Sequence, residues 1–231
     1  ILIFQSLRKG SGEIIQNSQV QFFLMFLTIM IVLVMFWLQK HYEVDYLQSL
    51  RIASFSVISI ATGSGFSTYD FSLWGTFTTT LFLFVMMIGG CSGSSSCGLK
   101  IFRIQILLKS STTLIKKIIQ PRGIFIPTYN STEIDEEILS SVTGYFFLYL
   151  LIFGFLTLVL SFDGQDLITA LSGSAAALAN VGPGLSEAIG PAGSYSTVND
   201  LSKIFLCIGM LIGRLELFPL LILFSPQLWK R

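Results

Sequence analysis

One pattern constrains this chain more than any other: an apolar run, a short polar turn bearing glycines and a second apolar run, in that order, twice. In the first copy, Val20 to Leu38 and Leu73 to Gly90 flank Ala61-Thr62-Gly63-Ser64-Gly65-Phe66. In the second, Val142 to Leu160 and Leu201 to Phe224 flank Ala179-Asn180-Val181-Gly182-Pro183-Gly184. Each run approaches the roughly 20 residues that a helix needs to cross a bilayer. Hydrocarbon offers no water to free peptide groups, so non-helical backbone between two spans must be buried in protein or line a wet cavity. A duplicated re-entrant loop is therefore expected to belong to an ion pathway.

The segments before the turns fit this reading. Tyr46 to Ala61 is apolar but broken by Gln48, Ser49, Arg51, Ser54, Ser56 and Ser59, too short and too polar for a span, and reads as a half-helix entering the membrane. Its counterpart is Gln165 to Ala179, where small residues allow close packing. The run after the first turn passes into Gly89-Gly90-Cys91-Ser92-Gly93-Ser94-Ser95-Ser96-Cys97-Gly98, where glycine and serine oppose a straight helix, so a broken, flexible loop at membrane depth is expected.

Charge supplies the orientation. Only 12% of residues are charged, against 52% hydrophobic. Arg8 and Lys9 precede the first run; Lys100, Arg103, Lys109, Lys116, Lys117 and Arg122 follow the second; Lys230 and Arg231 follow the fourth. The other connections carry Glu43, Asp45, Asp70, Asp163, Asp166, Glu187 and Asp200 against Lys40, Arg51 and Lys203. By the positive-inside rule this is expected to be a multi-pass membrane protein with both termini and the central linker cytoplasmic. Leu99 to Ile119 reads as an amphipathic basic helix at the cytoplasmic surface, held by anionic lipid or docking a partner. The organisation expected is a cytoplasmic lead-in over 1–19, a pore repeat over 20–120, a cytoplasmic linker over 121–137 and a second repeat over 138–231. The opening Ile1-Leu2-Ile3-Phe4 lacks a methionine and reads as the tail of an earlier helix. The sequon Asn130-Ser131-Thr132 falls in the cytoplasmic linker and is assigned no role.

A ring of backbone carbonyls replaces an ion's hydration shell without a permanent charge, and aiming successive carbonyls at one axis requires positive φ, which glycine adopts freely. Gly65 and Gly182 stand where such a filter needs them, with Thr62, Gly63, Ser64, Asn180, Val181 and Pro183 around them. The alternative is that these glycines merely pack helices. Arg214 lies within the last run, where a charge costs about 3 kcal/mol and normally faces the bundle interior; it either faces the pore or pairs with a carboxylate such as Glu216. Gly209 and Gly213 read as a helix-packing pair.

The stretches SIATGSGFSTYDFSLWG, GGCSGSSSCGLK, ALANVGPGL and GRLELF resemble the third and fourth repeats of the TrkH-type membrane subunit of the Trk/Ktr/HKT potassium-uptake superfamily. The resemblance implies an all-α integral membrane fold with two tandem helix–pore loop–helix repeats, half of a four-repeat pore. It implies a potassium filter at Thr62, Gly63, Ser64, Gly65, Asn180, Val181, Gly182 and Pro183, with potassium held at Thr62, Gly63, Asn180 and Val181. It also implies a gate built from the intramembrane loop, with Gly89, Gly90, Gly93 and Gly98, together with Arg214. Gly63 stands where the family's filter carries threonine, and Ser94-Ser95-Ser96-Cys97 where its loop is denser in glycine and threonine. The partners implied are a missing N-terminal half of the subunit, a second copy in a homodimer, a cytosolic nucleotide-binding regulatory ring and membrane lipid. No nucleic acid and no organic cofactor are expected.

Two other readings compete. Serines beside glycines, such as Ser64 and Ser186, would suit intramembrane proteolysis, but the chain's one histidine, His41, lies at the end of a span and no base is available, so no enzyme is expected. A non-conducting half-transporter or assembly module remains, as does a sodium/potassium transporter of the same superfamily. Cys91, Cys97 and Cys207 read as free thiols.

Overall fold

The structure is a computed structural model that describes residues 17–123, 125–129 and 132–215. The lead-in up to residue 16, Asn130 and Ser131 of the sequon, Glu216, the rest of the last apolar run and the Lys230-Arg231 end lie outside the described residues. Seven α-helices are present among the described residues: α1 (Ser18–Tyr42), α2 (Tyr46–Thr62), α3 (Thr76–Met87), α4 (Ile101–Ile119), α5 (Glu136–Phe162), α6 (Leu167–Ala179) and α7 (Asp200–Leu215). Helices α1–α3 and α5–α7 are the two expected copies, joined by α4.

Two of these helices, α1 and α5, are long and apolar enough to cross a membrane. Each ends at an acidic residue, α1 at Glu43 in the left-handed conformation and α5 at Asp163. The half-helices start just after Asp45 and Asp166, and the Asp166 carboxylate accepts from Thr169 N at 3.3 Å, a cap that also suits the positive end of the helix dipole.

The second apolar run departs from expectation. Leu73 to Gly90 does not form one span: a 3-10 turn covers Phe71–Leu73, and α3 holds only 12 residues, about 18 Å at 1.5 Å per residue. Gly75, at φ +84°, forces the start, and the Gly89-Gly90 pair ends it. The linker also departs, since it folds a small antiparallel hairpin, β1 (Thr128–Tyr129) with β2 (Thr132–Glu133). Of α4, only the first half is covered, through Ile101, Gln105, Ile106 and Ser110; Leu114, Ile115, Ile118 and Ile119 are exposed beside Lys116 and Lys117.

In each copy the end of the first helix is tied to the start of the third or to the residues leading into it. Trp37 Nε1 donates to Trp74 O at 2.8 Å and Tyr42 OH to Leu73 O at 2.7 Å. In the second copy Asn199 Nδ2 donates to Asp163 O at 3.1 Å, and the Ser202 hydroxyl bonds the Asp163 carboxylate. Those side-chain bonds, from Ser202 first and Asn199 second, hold the Asp163 carboxyl below its usual range. The copies are joined through their cores. Ala175, Ala176, Ala179, Val181 and Leu185 of the second sit in the cluster built by Val34, Val57, Phe82 and Val85 of the first. Within the second copy small residues allow equally close packing: at Gly173 an added Cβ would stand 3.1 Å from Ile189 Cδ1 and 3.3 Å from Leu160 Cδ2.

Candidate functional site

Both half-helices end in the same way. Gly63 (φ +70°, ψ +24°) and Asn180 (φ +53°, ψ +37°) take the left-handed C-cap position. Gly63 N bonds Ile60 O at 3.1 Å and Ser64 N bonds Ser59 O at 3.0 Å; Asn180 N bonds Ala177 O at 3.1 Å and Val181 N bonds Ala176 O at 3.0 Å. This is the 6→1 closure of a Schellman cap, repeated at a constant offset of 117 residues, which pairs Gly63 with Asn180 and Gly65 with Gly182. Gly65 (φ +71°) and Gly182 (φ +107°) both lie in the positive-φ region, where an L side chain is strained.

The two loops meet. A Cβ on Gly65 would collide with the carbonyl oxygen of Val181 and stand 3.0 Å from Pro183 Cδ, and one on Gly63 would lie 3.6 Å from Ala179 O and 3.8 Å from Asn180 O. At Gly182 nothing lies within 4 Å of that position, so glycine there answers to backbone conformation alone. The negative ends of two helix dipoles, those of α2 and α6, therefore end at one place, where a cation is favoured and an anion is not.

Side chains brace the loops differently. Ser59 Oγ donates to Phe66 O at 2.6 Å and lies 3.2 Å from Ser64 Oγ, while Thr62 Oγ1 returns to Ile58 O at 2.7 Å. The Thr62 hydroxyl is thus spent on its own helix, which leaves its carbonyl for any ligand. In the second loop Asn180 Nδ2 donates to Met210 O on α7 at 3.0 Å, and Tyr195 OH donates to Gly182 O at 2.9 Å. Neither partner was foreseen from sequence, since Met210 lies 30 residues from Asn180 and Tyr195 13 residues from Gly182; the one visible signal was an asparagine in a cap position where glycine is commoner.

The Gly89–Gly98 segment lies against α7. Its ends are cinched by Gly89 N to Leu99 O and Leu99 N to Met87 O, both 2.9 Å. Glycine is required at Gly89 because a Cβ there would collide with Cys97 O. Inside the loop, Gly90 N donates to Ser96 Oγ at 2.8 Å and the Ser94 hydroxyl to Cys91 O at 2.7 Å. The loop is more cross-tied than its glycines and serines suggest, although Gly93 (φ +82°) has open space around it and Gly98 (φ +87°) packs against Met87 O. Arg214 reaches it directly: Nη1 donates to Ser95 O at 2.9 Å and lies 4.0 Å from Cys97 Sγ. A cavity of about 220 Å³ is bounded by Ser94 to Gly98, Lys100, Tyr145, Gly213 and Arg214. A further anchor, unforeseen from sequence, is Gln19 at the start of α1, whose Oε1 accepts from Ser92 N at 2.9 Å.

Gly209 and Gly213 are packing glycines, as expected. A Cβ on Gly209 would stand 2.8 Å from Leu156 Cδ1, and one on Gly213 would collide with Leu178 O and lie 3.0 Å from Asn180 Nδ2. Helix α7 therefore touches the second loop and the Gly89–Gly98 segment within about one turn.

The comparisons agree with this architecture. The family described as TrkH, a cation transport protein, matches residues 8–231. The Trk system potassium uptake protein TrkI of Halomonas elongata is 37% identical over 231 residues, all of this chain and 47% of that protein. TrkH of Escherichia coli K12 is 34% identical over 205 residues, 89% of this chain and 42% of that protein. The crystal structure of the potassium transporter TrkH from Vibrio parahaemolyticus superposes with a TM-score of 0.84 at 33% identity, covering 93% of this chain and 46% of that one. The chain thus spans about half the length of the relatives it matches. With the duplicated helix–loop–helix plan, the family match over nearly every residue means that the chain belongs to the TrkH family of cation transport proteins.

Proposed function

We propose that this chain forms the third and fourth quarters of a potassium-uptake pore in the bacterial inner membrane, with both termini cytoplasmic. In this reading Gly65 and Gly182 form filter walls, potassium is held by the carbonyls of Thr62, Gly63, Asn180 and Val181, and Ser64 and Pro183 complete the segments. The repeats are residues 20–120 and 138–231, with 1–19 and 121–137 on the cytoplasmic side. An N-terminal half of the subunit supplies the other two segments. The observation that carries the proposal is the pair of half-helices with matching left-handed caps, whose loops touch at Gly65 and Val181. Transport is driven by the membrane potential, which supplies about 2.3 kcal/mol per monovalent ion at 100 mV. The test is growth of a potassium-uptake-deficient strain on limiting potassium with the complete protein. Leucine at Gly65 or Gly182 is expected to abolish rescue while the protein still reaches the membrane; unimpaired rescue by both variants overturns the filter assignment.

The Gly89–Gly98 loop, with Gly89, Gly90, Gly93 and Gly98, and Arg214 serve as the gate. The guanidinium bonded to Ser95 O puts a positive charge beside the path a cation would take, and movement of α7 would withdraw it. The complete subunit pairs as a homodimer and rests on a cytosolic nucleotide-binding ring, for which the exposed half of α4 offers Lys116 and Lys117, with Lys109 nearby. Charge reversal at these three lysines is expected to weaken ring binding at physiological salt; unchanged binding assigns that helix to anionic lipid alone.

A further inference from the structure

We infer that Tyr195 is a positioning residue for ion selection, its phenol holding the Gly182 carbonyl in the orientation that discriminates between monovalent cations. The inference rests on the filter reading of Gly182 given above.

The two loops have equivalent backbones but unequal side chains. At the constant offset, the positions of Ser59, Ser64 and Phe66 in the first loop are taken by Ala176, Val181 and Pro183 in the second. Ser59 grips the exit of the first loop through Phe66 O at 2.6 Å. Ala176 has no hydroxyl with which to do the same. Gly182, at φ +107° and with open space where a side chain would stand, is the least restrained residue of its loop by packing. A peptide in such a position turns readily, because glycine lacks the steric barrier that keeps other residues in one well. The bond from Tyr195 OH, at 2.9 Å, is what restrains it.

Tyr195 is well placed for that work. Its ring packs on the cluster formed by Leu160, Ala170, Ala177 and Leu206, which anchors the hydroxyl that reaches the carbonyl. Its backbone starts the 3-10 turn Tyr195–Thr197, which is capped by the Ser194 hydroxyl accepting from Ser196 N at 3.2 Å and closed by Val198 N to Tyr195 O at 3.2 Å. Ser194 N is fixed to Ala188 O at 3.0 Å. Burial pushes the phenol up to about 12, so it remains a neutral donor throughout the working range. A carbonyl oxygen has two lone pairs. The phenol takes one of them and so fixes the peptide that follows Asn180 and Val181, which sets the direction of the two carbonyls read above as holding potassium. The geometry of coordinating carbonyls bears on selection between potassium and sodium, and carbonyls held in place do not close around the smaller ion.

The test uses the complete protein in proteoliposomes, comparing wild type, Tyr195→Phe and Tyr195→Leu by potassium and sodium flux and by thermal stability in each cation. Tyr195→Phe removes one oxygen and keeps the packing. The potassium-to-sodium flux ratio is expected to fall about fivefold, the worth of one neutral hydrogen bond, with potassium flux retained and the melting temperature without added cation unchanged. An unaltered ratio in Tyr195→Phe overturns the inference; if only Tyr195→Leu then loses selectivity, the ring acts by packing. A wild-type protein without potassium-selective flux sinks the filter reading itself, an outcome separate from failure of the Tyr195 bond.

Discussion

The two loops end their half-helices with the same backbone cap, yet the first is held from within its own half-helix and the second from α7 and the segment before it. Ser59 reaches Phe66 across seven residues, whereas Tyr195 reaches Gly182 across thirteen and Asn180 reaches Met210 across thirty. The cap is a local property, set by the chain's need to satisfy its last carbonyls, so duplication preserves it. The braces are separable from it. A loop braced locally feels little of a distant helix, while one braced by α7 shares any movement of Arg214. The second loop, not the first, is therefore the one bonded to the helix that carries Arg214.

The largest expected effect separates the glycines. Gly65→Ala meets Val181 O as well as the cost of positive φ, about 1–2 kcal/mol, whereas Gly182→Ala meets only the latter. Growth rescue should be lost with Gly65→Ala and reduced with Gly182→Ala. The reverse order would break the account of how the loops meet.

Next comes the bracing. Ser59→Ala leaves Phe66 O without its hydroxyl partner, and Asn180→Ala frees the second loop from Met210; each is expected to cost about 1–3 kcal/mol of thermal stability. Combined with Arg214→Ala in double-mutant cycles of open probability, Asn180→Ala should show a coupling of at least about 0.5 kcal/mol and Ser59→Ala should be additive. Equal coupling for both would erase the distinction drawn above.

Arg214→Ala alone is expected to raise conductance or open probability severalfold by removing the charge at Ser95, with selectivity among monovalent cations preserved. If the surviving protein conducts normally and only its yield falls, Arg214 is a packing residue. Loss of selectivity would place it in the filter.

The smallest effect concerns pH. The Asp163 carboxyl is held low by Ser202 and Asn199, so its contribution is present above the ordinary carboxylate pKa and is lost as pH falls through the lowered value. Melting curves should show wild type losing a small increment on acidification, and Ser202→Ala losing less of it. Identical pH profiles would mean that this tie between α5 and α7 contributes nothing measurable.

Much of the architecture was legible in the residues themselves. The apolar runs identified α1 and α5, the serine-broken and alanine-rich stretches identified α2 and α6 to within two residues, and Gly63, Gly65 and Gly182 marked the turns because only a few residue types tolerate positive φ. The run from Leu73 to Gly90 misled, because its composition is that of a span while Gly75 and Gly89 confine the helix to 12 residues.

What the sequence by itself determined is thus the duplicated plan of span, half-helix, turn and returning helix, since hydropathy, helix length and glycine conformation are properties of neighbouring residues. Tertiary structure alone decided that Gly65 lies against Val181, that Tyr195 holds Gly182, that Asn180 ties its loop to α7 and that Arg214 bonds Ser95, 119 residues away. Such contacts depend on how the two copies pack across a shared core, and no periodicity along a single chain encodes the distance between residues that only folding brings together.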